Sequence, residues 1–136
     1  MSGTETRPHP TMSVVVGALA IDVVLVTVFA AIGRASHGES ALDGLFTTAW
    51  PFLAALAAGW LITLAWRAPT APLRTGLGVW GITVGGGMLL RAASGQGTAV
   101  AFLIVAAVTL LVFLVGWRVI AALVARARSR KGPAAE

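Results

Sequence analysis

Apolar residues along this chain neither alternate nor recur on one narrow face. They run on for the length of a membrane span. The first run extends from Ser13 to Ile32 and the second from about Leu45 to Trp66. The third covers about Thr75 to Leu90, and the fourth begins near Thr98 and stays apolar to Val124 except at Arg118. A helix needs about 20 residues, at about 1.5 Å each, to cross the hydrocarbon core. Runs one, two and four meet that length. The third is short and carries Gly76, Gly78, Gly81, Gly85, Gly86 and Gly87. In water such a glycine load opposes a helix. In lipid a lone strand would leave unpaired backbone groups at several kcal/mol each, so a helix is predicted here too. Its end near Gly85–Gly87 is expected to be kinked or unwound.

The connections Gly33–Gly44, Arg67–Arg74 and Arg91–Gly97 are short, which makes successive helices antiparallel neighbours. The predicted fold is all-α: an up-down bundle of four transmembrane helices, about 13–32, 45–66, 75–90 and 98–118, within one membrane domain of residues 13–125. Residues 1–12, polar and holding Pro8 and Pro10, read as a disordered tail, and residues 126–136 as a basic tail. The first run is expected to be a retained span. It is longer than the apolar part of a signal peptide, contains Asp22, and lacks a small-x-small cleavage site. No tandem repeat stands out, although the first and third connections each hold an Arg and a Gly.

Composition strengthens the membrane reading. The chain has 136 residues, 57% hydrophobic and 11% charged, where soluble domains carry about 25% charged. So short a chain cannot hide that much apolar surface from water. The absence of Cys excludes disulfides, thiolate catalysis and Cys-ligated metals. With no Tyr, the five Trp supply the interfacial aromatics. The formal charge of +5 is placed for orientation, not for nucleic acid. Arg7, Arg67, Arg74, Arg118, Arg126, Arg128, Arg130 and Lys131 fall on one side of the predicted membrane, Arg34 and Arg91 on the other. Basic residues favour the cytoplasmic side, so both termini are predicted there, with the chain multi-pass in the plasma membrane. The basic tail then faces membrane lipids.

Asp22 is the sole acid inside any apolar run. A carboxylate at the centre of a span costs at least about 2.5 kcal/mol, so such residues mark function or a buried polar lock. Two readings stand: a proton, cation or counter-ion site, or a lock bonded to an Arg or to neighbouring hydroxyls. Arg91 and Arg34 are the candidate partners. The bridge to Arg91 requires the third helix to ride low. His37 is either a titratable relay or a solvated loop histidine, and with Glu39 alone nearby it makes no metal site. Gln96 and Thr98 add polar groups on the same side. Gly76-x-Gly78-x-x-Gly81 matches a dinucleotide fingerprint in letters only: no strand precedes it and no acid follows about 20 residues on. The glycines are read as packing residues, Gly81-x-x-x-Gly85 on the third helix facing Ala55-x-x-x-Gly59 on the second. Trp50 and Trp66 read as interface anchors of the second helix, Trp117-Arg118 as the cytoplasmic anchor of the fourth, and Pro51 as a first-turn proline. Hydrolytic motifs are absent, no cofactor is implied, and an enzyme is disfavoured.

Together these landmarks resemble a family of small prokaryotic four-span membrane proteins classed only as a domain of unknown function. The matching pieces are Asp22, Gly33-Arg34 with Ser36-His37, Trp50-Pro51-Phe52, Gly59-Trp60, Gly87 to Arg91, Gly97-Thr98, Phe102 and Gly116-Trp117-Arg118. The resemblance spans about residues 20–118 and implies an integral membrane protein, with no activity attached. Two functions are expected from the residues. One is handling of an anionic solute, proton or lipid headgroup at an outer polar site of Asp22, Arg34, His37, Arg91, Gln96 and Thr98, with a transport path requiring a homo-oligomer. The other is an accessory subunit docking a larger membrane partner, its polar residues serving only as a fold lock.

Overall fold

The computed structural model describes residues 8–132. Of the expected tails, residues 1–7 and 133–136 lie outside that range. The described chain is all-helical: α1 (Met12–Ser36), α2 (Leu45–Thr63), α3 (Leu77–Ala93) and α4 (Val100–Arg130). Thr11 caps α1 by accepting from the Val14 N–H. α2 stops where Leu64 enters the left-handed region at φ +53°. A 3-10 turn (Ala65–Arg67) and a π turn (Pro72–Gly76) lead into α3.

α1 packs on α2 and α4, and α3 packs on the same two helices. The C-terminal ends of α1 and α3 and the N-terminal ends of α2 and α4 line one cavity, so the helices alternate in direction around a ring. Each helix buries a stripe spaced by about four residues, one turn apart. On α1 it is Ala18, Asp22, Val26 and Ala30; on α4 it is Ala106, Leu110, Leu114 and Arg118. Phe29 meets Phe52 edge-on at 5.3 Å, and Phe102 closes the aromatic cluster at 6.3 and 6.2 Å.

The outward faces are apolar. Val16, Val24, Ile32, Leu61, Ile62, Leu89, Ile104, Val108, Val112 and Ile120 are all exposed. α1, α2 and α4 are each long and apolar enough to cross a membrane. Exposed aliphatic faces on such helices suit lipid as solvent.

Two expectations about α3 change. The helix is regular through Gly85–Gly87, and its irregular part is the π turn at the opposite end. Gly81 and Gly85 are exposed, with open space where a Cβ would stand. The glycines that meet α2 are Gly78 against Thr63, Gly86 against Ala55 and Gly87 against Phe52. Ala55 and Gly59 do lie in this contact, Gly59 against the Val79 backbone. The reason is rotational phase: two residues turn a helix by about 200°, so Gly81 and Gly85 face away from the stripe of Val79, Thr83 and Gly87.

Candidate functional site

The predicted site residues divide between two separate places, and Thr98 belongs to neither. Thr98 is exposed in the α3–α4 loop.

The first place is a buried node around Asp22, which pairs with Arg118 and not with Arg91 or Arg34. The Arg118 fork grips both carboxylate oxygens, Nη2 to Oδ2 at 2.6 Å and Nη1 to Oδ1 at 2.9 Å. Trp60 Nε1 donates to Oδ2 and Trp117 Nε1 to Oδ1, each at 2.8 Å. Arg118 also donates to the carbonyls of Leu114 (2.7 Å) and Pro69 (2.9 Å). Both charged side chains are 0% exposed. Gly76 leaves room for the Arg118 stem, since a Cβ there would lie 3.3 Å from Cδ. The node thus ties α1, α2, α4 and the α2–α3 connection together. Reading Trp117-Arg118 as an interfacial anchor is corrected: Arg118 is the fourth member of the α4 core stripe. That register was visible in the sequence, as was the coincidence of one acid and one base inside apolar runs. The order of the helices around the ring was not.

The second place is a cavity of about 350 Å³ at the end where α1 meets α2 and α3 meets α4. Arg34, His37, Arg91 and Gln96 all line it, with Glu39, Thr47 and Thr48. Its apolar side is Phe29, Ala30 and Phe102. Pockets of a few hundred Å³ with apolar walls and a few convergent polar groups are the usual shape of ligand sites.

Both arginines are held by the loop that follows them. α1 ends in a Schellman cap: Gly38 at φ +73° donates to the Ala35 carbonyl and the Glu39 N–H to the Arg34 carbonyl. α3 ends in the same way, with Gly95 at φ +76° donating to Ala92 and the Gln96 N–H to Arg91. The cap folds the chain back so that the fifth residue on stands beside the arginine. Arg34 Nη1 lies 3.0 Å from the Glu39 carboxylate. Arg91 Nη1 donates to Gln96 Oε1 at 2.9 Å. Arg34 Nε donates to the Ser40 carbonyl, and Arg91 Nε and Nη2 to that of Gly97. Arg34 Nη1 also reaches Thr48 Oγ1 at 3.2 Å, and the Arg91 guanidinium stacks 4.4 Å above Phe102. Arg91 has no acidic partner among the described residues.

Pro51 is not in the first turn of α2 but seven residues in. Having no N–H, it leaves the Thr47 carbonyl, four residues back, without its helical donor. Gln96 Nε2 supplies one at 3.0 Å. The proline therefore creates the acceptor that orients Gln96, and Gln96 orients Arg91. Among the described residues no cluster of His, Cys, Asp and Glu is arranged for a metal.

An all-helical chain with spanning-length apolar helices and a cationic cavity at one end is a membrane-protein architecture. The chain belongs to the family described as "Protein of unknown function (DUF3054)", whose model matches residues 19–121. No curated protein and no solved structure matches the chain. The matched region includes both arginine caps and both members of the buried ion pair.

Proposed function

We propose that this chain is a four-span membrane protein that binds an anionic group in the cavity between Arg34 and Arg91. The observation that carries the reading is the charge balance: two guanidiniums and one carboxylate line the same small space. Thr48 and Gln96 add neutral hydrogen-bonding groups, and Phe29 and Phe102 lower the local polarity, which strengthens attraction to a bound anion. α3 counts as the fourth span because its 17 residues make about 26 Å of helix. The π turn before it extends the helical segment toward the roughly 30 Å of the hydrocarbon core.

Asp22 has no part in this binding. With four N–H groups on its two oxygens, it serves as the fold lock of the accessory-subunit reading, now combined with a separate site. Among the described residues, the basic residues left for orientation are Arg67, Arg74, Arg126, Arg128, Arg130 and Lys131 at one end, against Arg34 and Arg91 at the other. That balance supports cytoplasmic termini and an outward-facing cavity.

The test is anion binding by the detergent-purified protein. Arg91→Gln is expected to weaken retention of phosphate or of anionic phospholipid roughly tenfold, the scale of one charge-assisted hydrogen-bond pair. Arg128→Gln in the α4 extension serves as the charge-matched control. Equal loss in both variants would falsify the cavity as the binding site.

A further inference from the structure

The two arginine caps are copies of one device. Arg34-Ala35-Ser36-His37-Gly38-Glu39-Ser40 and Arg91-Ala92-Ala93-Ser94-Gly95-Gln96-Gly97 share Arg, Ala and Gly at the same spacing. They also share their geometry position by position. The glycine at the fifth position has positive φ in both. The amide of the sixth returns to the arginine carbonyl, at 3.2 and 2.8 Å. The arginine Nε donates to the carbonyl of the seventh, at 3.1 Å in each. The side chain at the sixth position contacts Nη1 in each.

The copies differ chemically at that sixth position alone among these contacts: Glu39 in the first, Gln96 in the second. Glu39 places a carboxylate oxygen on Arg34 and cancels its charge within the cap. Gln96 places a neutral amide oxygen on Arg91 in the corresponding position and leaves the charge standing. Gln96 is pinned there by Thr47, whose carbonyl Pro51 has released. Glu39 therefore shows what an anion does when it occupies this kind of cap.

We infer that the paired caps form a half-filled double site. The Arg34 cap carries a built-in carboxylate, and the Arg91 cap is the receiving half, taking one singly charged oxyanion. This rests on the anion-binding reading above and specifies where the charge is received and how many charges the site accepts. A second negative charge in the cavity would meet Glu39 instead of a free cation. A single oxyanion joined to an apolar body fits best, because Phe29 and Phe102 line the side of the cavity facing the aromatic cluster. The phosphodiester of an anionic phospholipid and a free monoanion share this chemistry.

The test uses the full chain in nanodiscs of uncharged digalactosyldiacylglycerol, which carries no phosphate, titrated with inorganic phosphate at pH 6 where the monoanion predominates, and in discs that also contain phosphatidylglycerol, with retained lipid counted by native mass spectrometry. Phosphate binding in the first discs identifies a free anion as the source; retained phosphatidylglycerol in the second identifies a headgroup; either supports the assignment. Gln96→Glu gives Arg91 the carboxylate that Arg34 already has, and is expected to cut binding by tenfold or more. Glu39→Gln opens the other half, and is expected to raise the bound anion from one toward two per chain. Unchanged binding in either folded variant, or loss of binding in Glu39→Gln, overturns the assignment while leaving an anion site in the cavity. Should the unmodified chain bind neither probe, the anion reading itself falls.

Discussion

The residue with the largest energetic consequence is Asp22. Removing a carboxylate and a guanidinium from water costs several kcal/mol each, and only close geometry with further hydrogen bonds recovers it. Here the fork is bidentate, and two indole N–H groups satisfy the outer lone pairs. Removing one partner leaves the other charge buried in apolar surroundings. Asp22→Asn and Arg118→Leu are each expected to cost about 3–5 kcal/mol of stability. The double variant Asp22→Leu with Arg118→Leu should recover part of that loss, because it buries no charge. It will not recover all, since Trp60 and Trp117 then lack acceptors. Unfolding in mixed micelles measures all three. Single variants as stable as the unmodified chain would mean that Asp22 is not a lock. The same series separates fold from function, because anion binding at the distant cavity should persist in any Asp22 variant that still folds.

Among the elements, α3 is where pattern and structure part company, and its glycines make the sharpest contrast. A Cβ at Gly87 would collide with the Phe52 ring, whereas one at Gly81 meets nothing. Gly87→Ala should therefore destabilise by about 1–3 kcal/mol through overpacking. Gly81→Ala should be neutral or gain up to about 1 kcal/mol from helix propensity. Melting temperatures in detergent read both, and equal effects would mean that α2 and α3 do not approach as described. The existence of the four helices was legible because apolar runs of span length have few alternatives. The rotation of α3 was not, because six glycines fit several small-residue motifs and the letters carry no phase relative to α2. The cavity was partly legible. Arg34, His37, Arg91 and Gln96 converge because up-down connectivity brings both loops to one end. Asp22 was misassigned to it because Arg118 reads equally as the end of a span, and only its alignment with Ala106, Leu110 and Leu114 marks it as core. Pro51 gives a further test within α2. Pro51→Ala restores an N–H to the Thr47 carbonyl and should hold or raise the melting temperature. Gln96 then loses its fixed acceptor, so anion binding should fall severalfold. A change of both quantities in the same direction would detach Pro51 from the site.

At the scale of the whole molecule, the two features occupy different depths and divide the labour. Asp22 lies 10 residues into α1, about 15 Å from its start by helix rise. Arg118 lies 12 residues before the end of α4, about 18 Å. The two depths agree, which places the lock in the half of the bundle nearer the chain termini and away from the cavity. α4 has 31 residues, about 46 Å of helix, some 15 Å more than the hydrocarbon core accommodates. The last turns of α4, with Arg126, Arg128 and Arg130, are exposed and polar, which puts the excess at the terminal end under the proposed topology. Against an anionic leaflet, each such basic side chain would gain about 1 kcal/mol. The other end holds only Arg34 and Arg91, the first of them paired with Glu39, so that end carries the smaller basic charge. The proposed orientation rests on this difference in basic charge between the two ends. A reporter active only outside the cytoplasm should stay silent when fused after Glu136 and should be active when inserted in the α1–α2 loop between Gly38 and Gly44. The converse pattern would put the cavity against the cytoplasmic leaflet, and the anion it receives would then have to come from that side.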